Sequence, residues 1–189
     1  MENSQFAKDL GPLGALIGTW EGIKGDDIAP GDNRGVENNK FREKMTFIPI
    51  GRVDNHEQIL FGLRYSTVAW RLGVADPFHE EVGYWLWDAA NQQVMRCFLV
   101  PRGVSVIAGG TVSPDAKAFR LAAEVGSSTY GICSNKFLDA EFKTVRYELD
   151  VTIHGPDSFS YAEDSQLLMK GRKDVFHHTD KNTMARVLG

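Results

Sequence analysis

The stretch FKTVRYELDVTI, residues 142–153, sets the strongest limit on the fold. Val145, Tyr147, Leu149, Val151 and Ile153 share one parity; Thr144, Arg146, Glu148, Asp150 and Thr152 share the other. Successive side chains of a strand point to opposite faces, so this segment is a long strand with one dry and one wet face. Such a strand belongs to a sheet closed around its own core.

The same period of two recurs along the chain. Phe41, Glu43, Met45 and Phe47 alternate with Arg42, Lys44 and Thr46, and Ile59, Phe61, Leu63 and Tyr65 share a parity within residues 56–65. Further strands are expected at 81–87, 94–100, 104–112, 118–124, 158–168 and 173–187. Short turns separate them at AANQQ (89–93), SPDAK (113–117) and HGPDS (154–158). No long helix is expected, only a lead-in over residues 1–17, whose helical turn is shortened by Pro12 and Gly14. The polar run DDIAPGDNRGVENNK, residues 26–40, reads as a long loop or hairpin tip. The expected architecture is a single all-β domain over 1–189: an up-and-down antiparallel barrel of about ten strands. A barrel of that size has room for one ligand.

A chain of 189 residues suits one domain that needs no staples. A net charge of −4 argues against nucleic-acid binding, which calls for a strong basic patch. Cys97 and Cys133 are too few for a disulfide framework and fit a reducing compartment. No run approaches the roughly 20 apolar residues of a membrane span, and the N-terminal residues lack a signal pattern, so the expected location is the cytoplasm. Exposed edges of outer strands would support a homodimer.

No catalytic constellation has a specific spacing: there is no Gly-x-Ser-x-Gly, phosphate loop, His-Glu-x-x-His or Cys-x-x-Cys. Glu80 and Glu81 are adjacent in a strand and point to opposite faces. The adjacent His177 and His178 cannot both face one metal for the same reason, though a single axial histidine can hold a haem. His79 stands where a loop gives way to a strand, either lining the barrel mouth or bonding a neighbouring loop. Trp85 and Trp87 share one parity and Tyr84 and Leu86 the other, so one pair faces inward. Trp20 reads as a plug at the barrel bottom. Arg64, Arg71, Arg102 and Lys173 are the basic residues nearest the expected mouth and the candidate partners for an anionic ligand group.

Three segments carry a family resemblance: Gly18-x-Trp20-x-Gly22, the run Pro77-x-His79-x-Glu81-x-Gly83-Tyr84, and the closing Met184-Ala185-Arg186. Together they resemble the nitrobindin family, which includes the haem-binding barrel attached to THAP-type zinc-finger proteins and bacterial fatty-acid-binding-protein-like members. The resemblance implies a ten-stranded barrel, ferric haem b held by a closing-strand histidine, nitric oxide binding and isomerisation of peroxynitrite to nitrate. Two places depart from the pattern. Lys24 occupies a glycine position, with Gly25 one residue late. The spacing back from Met184 and Arg186 puts the iron ligand at Thr179, one residue from His178, a mismatch that a bulge would restore.

The favoured reading is therefore a non-enzymatic barrel binding a small apolar or amphipathic ligand, fatty-acid-like or haem-like. Trp20, His79, Tyr84, His177 and Thr179 are expected at the ligand, and His178 is the candidate for a haem iron. The alternative from another class is a haem-dependent peroxynitrite isomerase. A third is an interaction module whose barrel is filled with side chains.

Overall fold

The computed structural model describes residues 2–188, with side chains from Phe6 onward. A short helix α1 (Glu2–Asp9) and a 3-10 turn (Gly11–Leu16) precede eleven strands. These are β1 (Gly18–Pro30), β2 (Val36–Asn55), β3 (Gln58–Arg71), β4 (His79–Asp88), β5 (Gln93–Val100), β6 (Val104–Thr111), β7 (Ala118–Val125), β8 (Gly131–Ser134), β9 (Phe142–Gly155), β10 (Ser158–Met169) and β11 (Phe176–Arg186). A second helix, α2 (Lys136–Glu141), joins β8 to β9, and the Asn135 side chain caps it by accepting from the Leu138 N–H. The strands close into a barrel in the order β1-β11-β10-β9-β7-β8-β6-β5-β4-β3-β2. Every pairing is antiparallel except that of β7 with β8. Among the described residues, no helix is long and apolar enough to cross a membrane.

The expected barrel is present, with differences in detail. β1 and β2 run on through most of residues 26–40, so the connection is only 31–35. Its polarity misleads because Asp27 on this ribbon points into the barrel and is 4% exposed. The short β8 and α2 were not expected; four and six residues are too few to show a period. Cys97 and Cys133 are free thiols.

One end of the barrel is shut by the lead-in. Leu10, Leu13 and Leu16 are buried beneath the start of β1, and the Trp20 indole donates to the Leu16 carbonyl at 2.7 Å. The Phe159 ring meets Trp20 edge-on at 4.9 Å, and the Arg186 guanidinium lies over it at 4.1 Å. Trp20 pairs with Arg186 across β1 and β11, so the first and last resemblance segments meet at this seam. Arg186 also donates to the Ala15 and Ile17 carbonyls of the lead-in. Gly18 leaves room for this guanidinium: its φ is +119° and an added Cβ would stand 2.8 Å from Arg186 Nη1.

The displaced glycine has a structural explanation. Gly22 pairs with Glu43 and Gly25 with Phe41, so β1 spends three residues where β2 spends two. This is a β-bulge at Ile23 and Lys24, both exposed, and it returns Gly25 to the inner face. The bare backbone of Gly25 accommodates the Phe41 ring, whose atoms would lie 2.5 Å from an added Cβ. Gly25→Ala is expected to cost about 1–3 kcal/mol through overpacking, read from urea denaturation midpoints; an unchanged midpoint would show that Phe41 can move away freely.

Candidate functional site

The other end of the barrel opens into a cavity of about 570 Å³. Its rim is formed where β1 passes to β2, β3 to β4, β5 to β6 and β10 to β11. Phe41, Phe78, Leu138, Phe142 and Leu167 supply apolar wall near the rim, and Phe47, Trp85 and Phe159 supply it towards the closed end. Between these two apolar zones lies a band of charged and phenolic side chains.

Arg96 is the centre of the band. The inward parity of β5 is Val94, Arg96 and Phe98, so strand geometry places a guanidinium inside, 4% exposed. Its Nη2 meets Glu81 Oε2 at 2.5 Å and donates to the Tyr65 hydroxyl at 2.9 Å. Its Nη1 meets Glu163 Oε2 at 2.7 Å and also donates to the Tyr147 hydroxyl. The two hydroxyls in turn donate to the carboxylates, Tyr65 to Glu81 and Tyr147 to Glu163, the latter at 2.7 Å. The Phe98 ring lies 4.3 Å from the guanidinium carbon. A buried charge is tolerated only with such a set of partners. Burial pushes the Glu81 carboxyl up, but Arg96, His79 and Tyr65 outweigh it and hold Glu81 near a pKa of about 2.

A second group sits on β1, β2, β10 and β11. Glu43, 4% exposed, accepts from Tyr161 at 2.8 Å and from Asn182 at 2.9 Å. It has no cationic partner among the described residues, and burial drives its pKa up to about 7 against the pull of those two bonds. Asp27 accepts from Asn39 at 3.0 Å, and its other oxygen lies 3.0 Å from His178 Nε2. Asp27, Asp180 and Glu163 are direct cross-strand neighbours on β1, β11 and β10. Three carboxylates side by side on one inner face repel one another. Asp180 is partly open to the cavity and makes no hydrogen bond or ion pair among the described residues. Burial within the barrel, then the charges of Glu163, Glu43, Glu81 and Asp27, push its pKa well up.

The residues singled out by sequence divide between inside and outside. His79 lines the cavity, its Nε2 3.1 Å from Glu81 Oε1. Burial would lower its pKa, but Glu81 more than offsets that and the pKa is raised. β11 pairs with β10 without a register shift from Phe176 to Ala185, so strict alternation holds. His178 consequently faces the cavity, whereas His177 and Thr179 stand on the outer face. His177 Nδ1 there lies 2.7 Å from Asp164. Tyr84 is also outside, 46% exposed, and it is Trp85 and Trp87 that face in. Trp20 lies at the closed end beneath the cavity and is not part of its lining. Arg71 and Arg102 line the cavity at the rim, whereas Arg64 is exposed on the outside of β3 and Lys173, in the connection from β10 to β11, is exposed and does not line the cavity.

Sequence reasoning did not single out Glu43, Arg96, Glu163 or Asp180. Three of them carried a usable signal, a charged residue on a strand's apolar parity: Glu43 between Phe41 and Met45, Arg96 between Val94 and Phe98, Glu163 two residues after Tyr161. Asp180 had no comparable apolar frame because its strand is polar along most of its length.

A closed β-barrel with a ligand-sized cavity reached from one end belongs to the class of barrels that hold a small molecule inside. Residues 9–186 match the family model described as THAP4-like, heme-binding beta-barrel domain, and the chain belongs to that family. Among solved structures it is similar to Rv2717c from M. tuberculosis, with a TM-score of 0.67, 19% sequence identity, and 95% of this chain and 98% of that one covered. At that identity the likeness speaks for the fold. A looser likeness is to EF1p2_mFAP2b bound to DFHBI, with a TM-score of 0.35, 12% identity and 95% and 99% coverage, and it carries no argument. No curated protein sequence matches the chain.

Proposed function

We propose that the protein is a non-enzymatic barrel that holds one small amphipathic molecule in its interior. The observation that carries this reading is the cavity: about 570 Å³, open at one end, with aromatic walls above and below a band of buried polar groups. Apolar burial would drive the ligand in and the polar band would orient it. A neutral apolar fluorophore such as N-phenyl-1-naphthylamine is the direct probe. It should bind at one-to-one stoichiometry, with its affinity lowered at least tenfold by Ala69→Trp, which places a bulky ring on the inner wall near the rim. Absence of binding to a folded protein would favour a barrel acting through its outer surface.

The second reading is the ferric-haem one, and His178 favours it. It is the closing-strand histidine that faces the cavity, and the buried Asp27 engages one ring nitrogen, leaving the other for a metal. A histidine ligand fixed by a carboxylate on its second nitrogen is the usual metal-site arrangement. A haem would be held there by His178, between the apolar side chains of Phe41 and Phe142, with Arg71 and Arg102 for its propionates. Bound there, the iron would supply the open ferric site that nitric oxide or peroxynitrite chemistry requires. The reading takes second place because Asp27, Glu163 and Asp180 line the same wall and would face a group that brings its own negative charges. Titration with hemin decides it: a sharp Soret band at one-to-one stoichiometry that His178→Ala abolishes, and His177→Ala leaves intact, would put haem first.

A further inference from the structure

We propose that the cavity selects an uncharged, largely apolar molecule that carries a hydrogen-bond-accepting oxygen, a ketone or ester carbonyl, and that Trp85 Nε1–H and Arg96 Nε–H are the donors that receive it. This rests on the ligand-binding reading above and assigns its ligand to a chemical class.

Two donors in the cavity wall are unmatched. Trp85 is 5% exposed and Arg96 4% exposed, and both line the cavity. Neither Trp85 Nε1 nor Arg96 Nε has an acceptor among the described residues. Buried N–H groups are nearly always paired, so an unpaired one marks a place where an acceptor is missing from the protein alone. Trp20 shows the contrast at the closed end, where its indole donates to the Leu16 carbonyl at 2.7 Å. Trp85 is held in place without such a bond. Phe47, Tyr65 and Phe119 meet its ring edge-on, with centroids at 6.0, 6.2 and 6.4 Å. For Arg96 the count of donors decides. A guanidinium has five N–H groups. Nη2 donates to Glu81 and Tyr65 and Nη1 to Glu163 and Tyr147, which leaves the Nε–H over.

The two donors are neighbours. Trp85 and Arg96 are direct partners across β4 and β5, and the guanidinium carbon lies 5.6 Å from the indole ring. They stand where the polar band meets the apolar zone towards the closed end. A carbonyl oxygen has two lone pairs. Both donors are already withdrawn from water, so the protein sheds no hydration to give them an acceptor. Phe47 and Phe159 then lie against the apolar remainder of the ligand.

The charge of the ligand follows from the partners of Arg96. Its one positive charge faces two carboxylates, Glu81 and Glu163, so this group already holds an excess of negative charge. A ligand carboxylate would be repelled there, or would displace one of the two and leave it buried without its cation. An ammonium has donors only and offers nothing to either N–H. A hydroxyl accepts but brings a donor that needs a partner of its own. A ketone or ester carbonyl accepts and brings none.

The test compares benzophenone, diphenylmethane and sodium diphenylacetate, which share a pair of phenyl rings on one carbon, by displacement of the neutral fluorophore. Benzophenone is expected to bind at least about tenfold more tightly than diphenylmethane, because its oxygen meets donors that are otherwise unpaired. It should exceed diphenylacetate by about a hundredfold. The carbonyl stretching band of bound benzophenone, followed by infrared difference spectroscopy, should lie at lower wavenumber than in hexane. Trp85→Phe keeps an aromatic wall and removes one donor. It should bring benzophenone and diphenylmethane within about threefold of each other and move the carbonyl band back towards its position in hexane. A melting temperature close to that of the wild type would show the barrel intact, and the wild-type comparison decides the matter even where the variant does not fold. Equal wild-type affinities for benzophenone and diphenylmethane would show that water already satisfies the donors. Tighter diphenylacetate would show a site for anions, and an unchanged preference in folded Trp85→Phe would place the acceptor elsewhere. Each of these outcomes overturns the inference while the ligand-binding reading survives. Failure of the fluorophore and all three compounds to bind would overturn both.

Discussion

Arg96→Met is expected to lower the stability of the barrel by about 3–5 kcal/mol, the cost of breaking a buried ion pair by removing one partner. The loss is not mainly that of a favourable contact. Glu81 and Glu163 remain in the interior, 4% and 13% exposed in their side chains, without the guanidinium that made their burial tolerable. Tyr65 and Tyr147 keep their hydroxyl bonds to these carboxylates but cannot neutralise them. The triple variant Arg96→Met, Glu81→Gln, Glu163→Gln should recover most of the loss, because it removes all three charges together and leaves amides that can still bond the tyrosines. Urea denaturation of wild type, single and triple variants measures both halves of the argument. A single variant within about 1 kcal/mol of wild type would show that water reaches these carboxylates, and a triple variant no better than the single would show that packing, not charge, set the cost.

The barrel was legible because its signal is carried by many strands at once. Alternation in residues 142–153 is so regular that β9 could be placed within two residues of its observed end; the turn at 113–117 falls between β6 and β7, and those at 89–93 and 154–158 overlap the ends of the flanking strands by one and three residues. The site was less legible for a physical reason. A strand that lines a polar cavity breaks its own apolar alternation where the function lies, so Glu43 and Arg96 read as interruptions in a core-facing row. The same effect turned residues 26–40 into an expected loop. Asp27 and Asn39 are polar there because Asn39 donates to Asp27, whose other oxygen engages His178.

The closing-strand histidines show a different difficulty. Counting back from Met184 assumes that β11 has the same number of residues as its relatives do, and the count ends on Thr179. In the structure β11 is regular, and the extra residue of this seam sits in β1, at the Ile23–Lys24 bulge. That bulge shifts the partners of β1 and leaves the alternation of β11 unchanged, so His178 faces inward with no bulge in its own strand. Parity within β11 was correct; which parity faces inward could be decided only by Met184, 0% exposed, and Asn182, 4% exposed, both on the side of His178.

Glu43 makes stability fall as pH rises through the weakly acidic range. Its carboxyl titrates at 4.5 when unfolded and near 7 when folded, so between those values the native state binds more protons than the unfolded state. Its contribution is fully present below pH 4.5, declines between pH 4.5 and 7, and is exhausted above. The difference amounts to about 3 kcal/mol. Asp180 acts with the same sign, since its pKa is raised by burial and by neighbouring carboxylates. Glu81 acts oppositely and elsewhere, its stabilisation being lost only as pH falls from 4.5 towards 2. Glu43→Gln preserves an oxygen to accept from Tyr161 and Asn182 while abolishing the titration. The variant should therefore match wild type near pH 4.5 and exceed it by about 3 kcal/mol at pH 7.5, measured by urea denaturation across that range. His79, whose raised pKa gives stability lost as pH climbs through it, is common to both proteins and cancels in the difference. Parallel stability curves for the two proteins would mean that Glu43 reaches solvent in the native state, through the same cavity that a ligand would occupy.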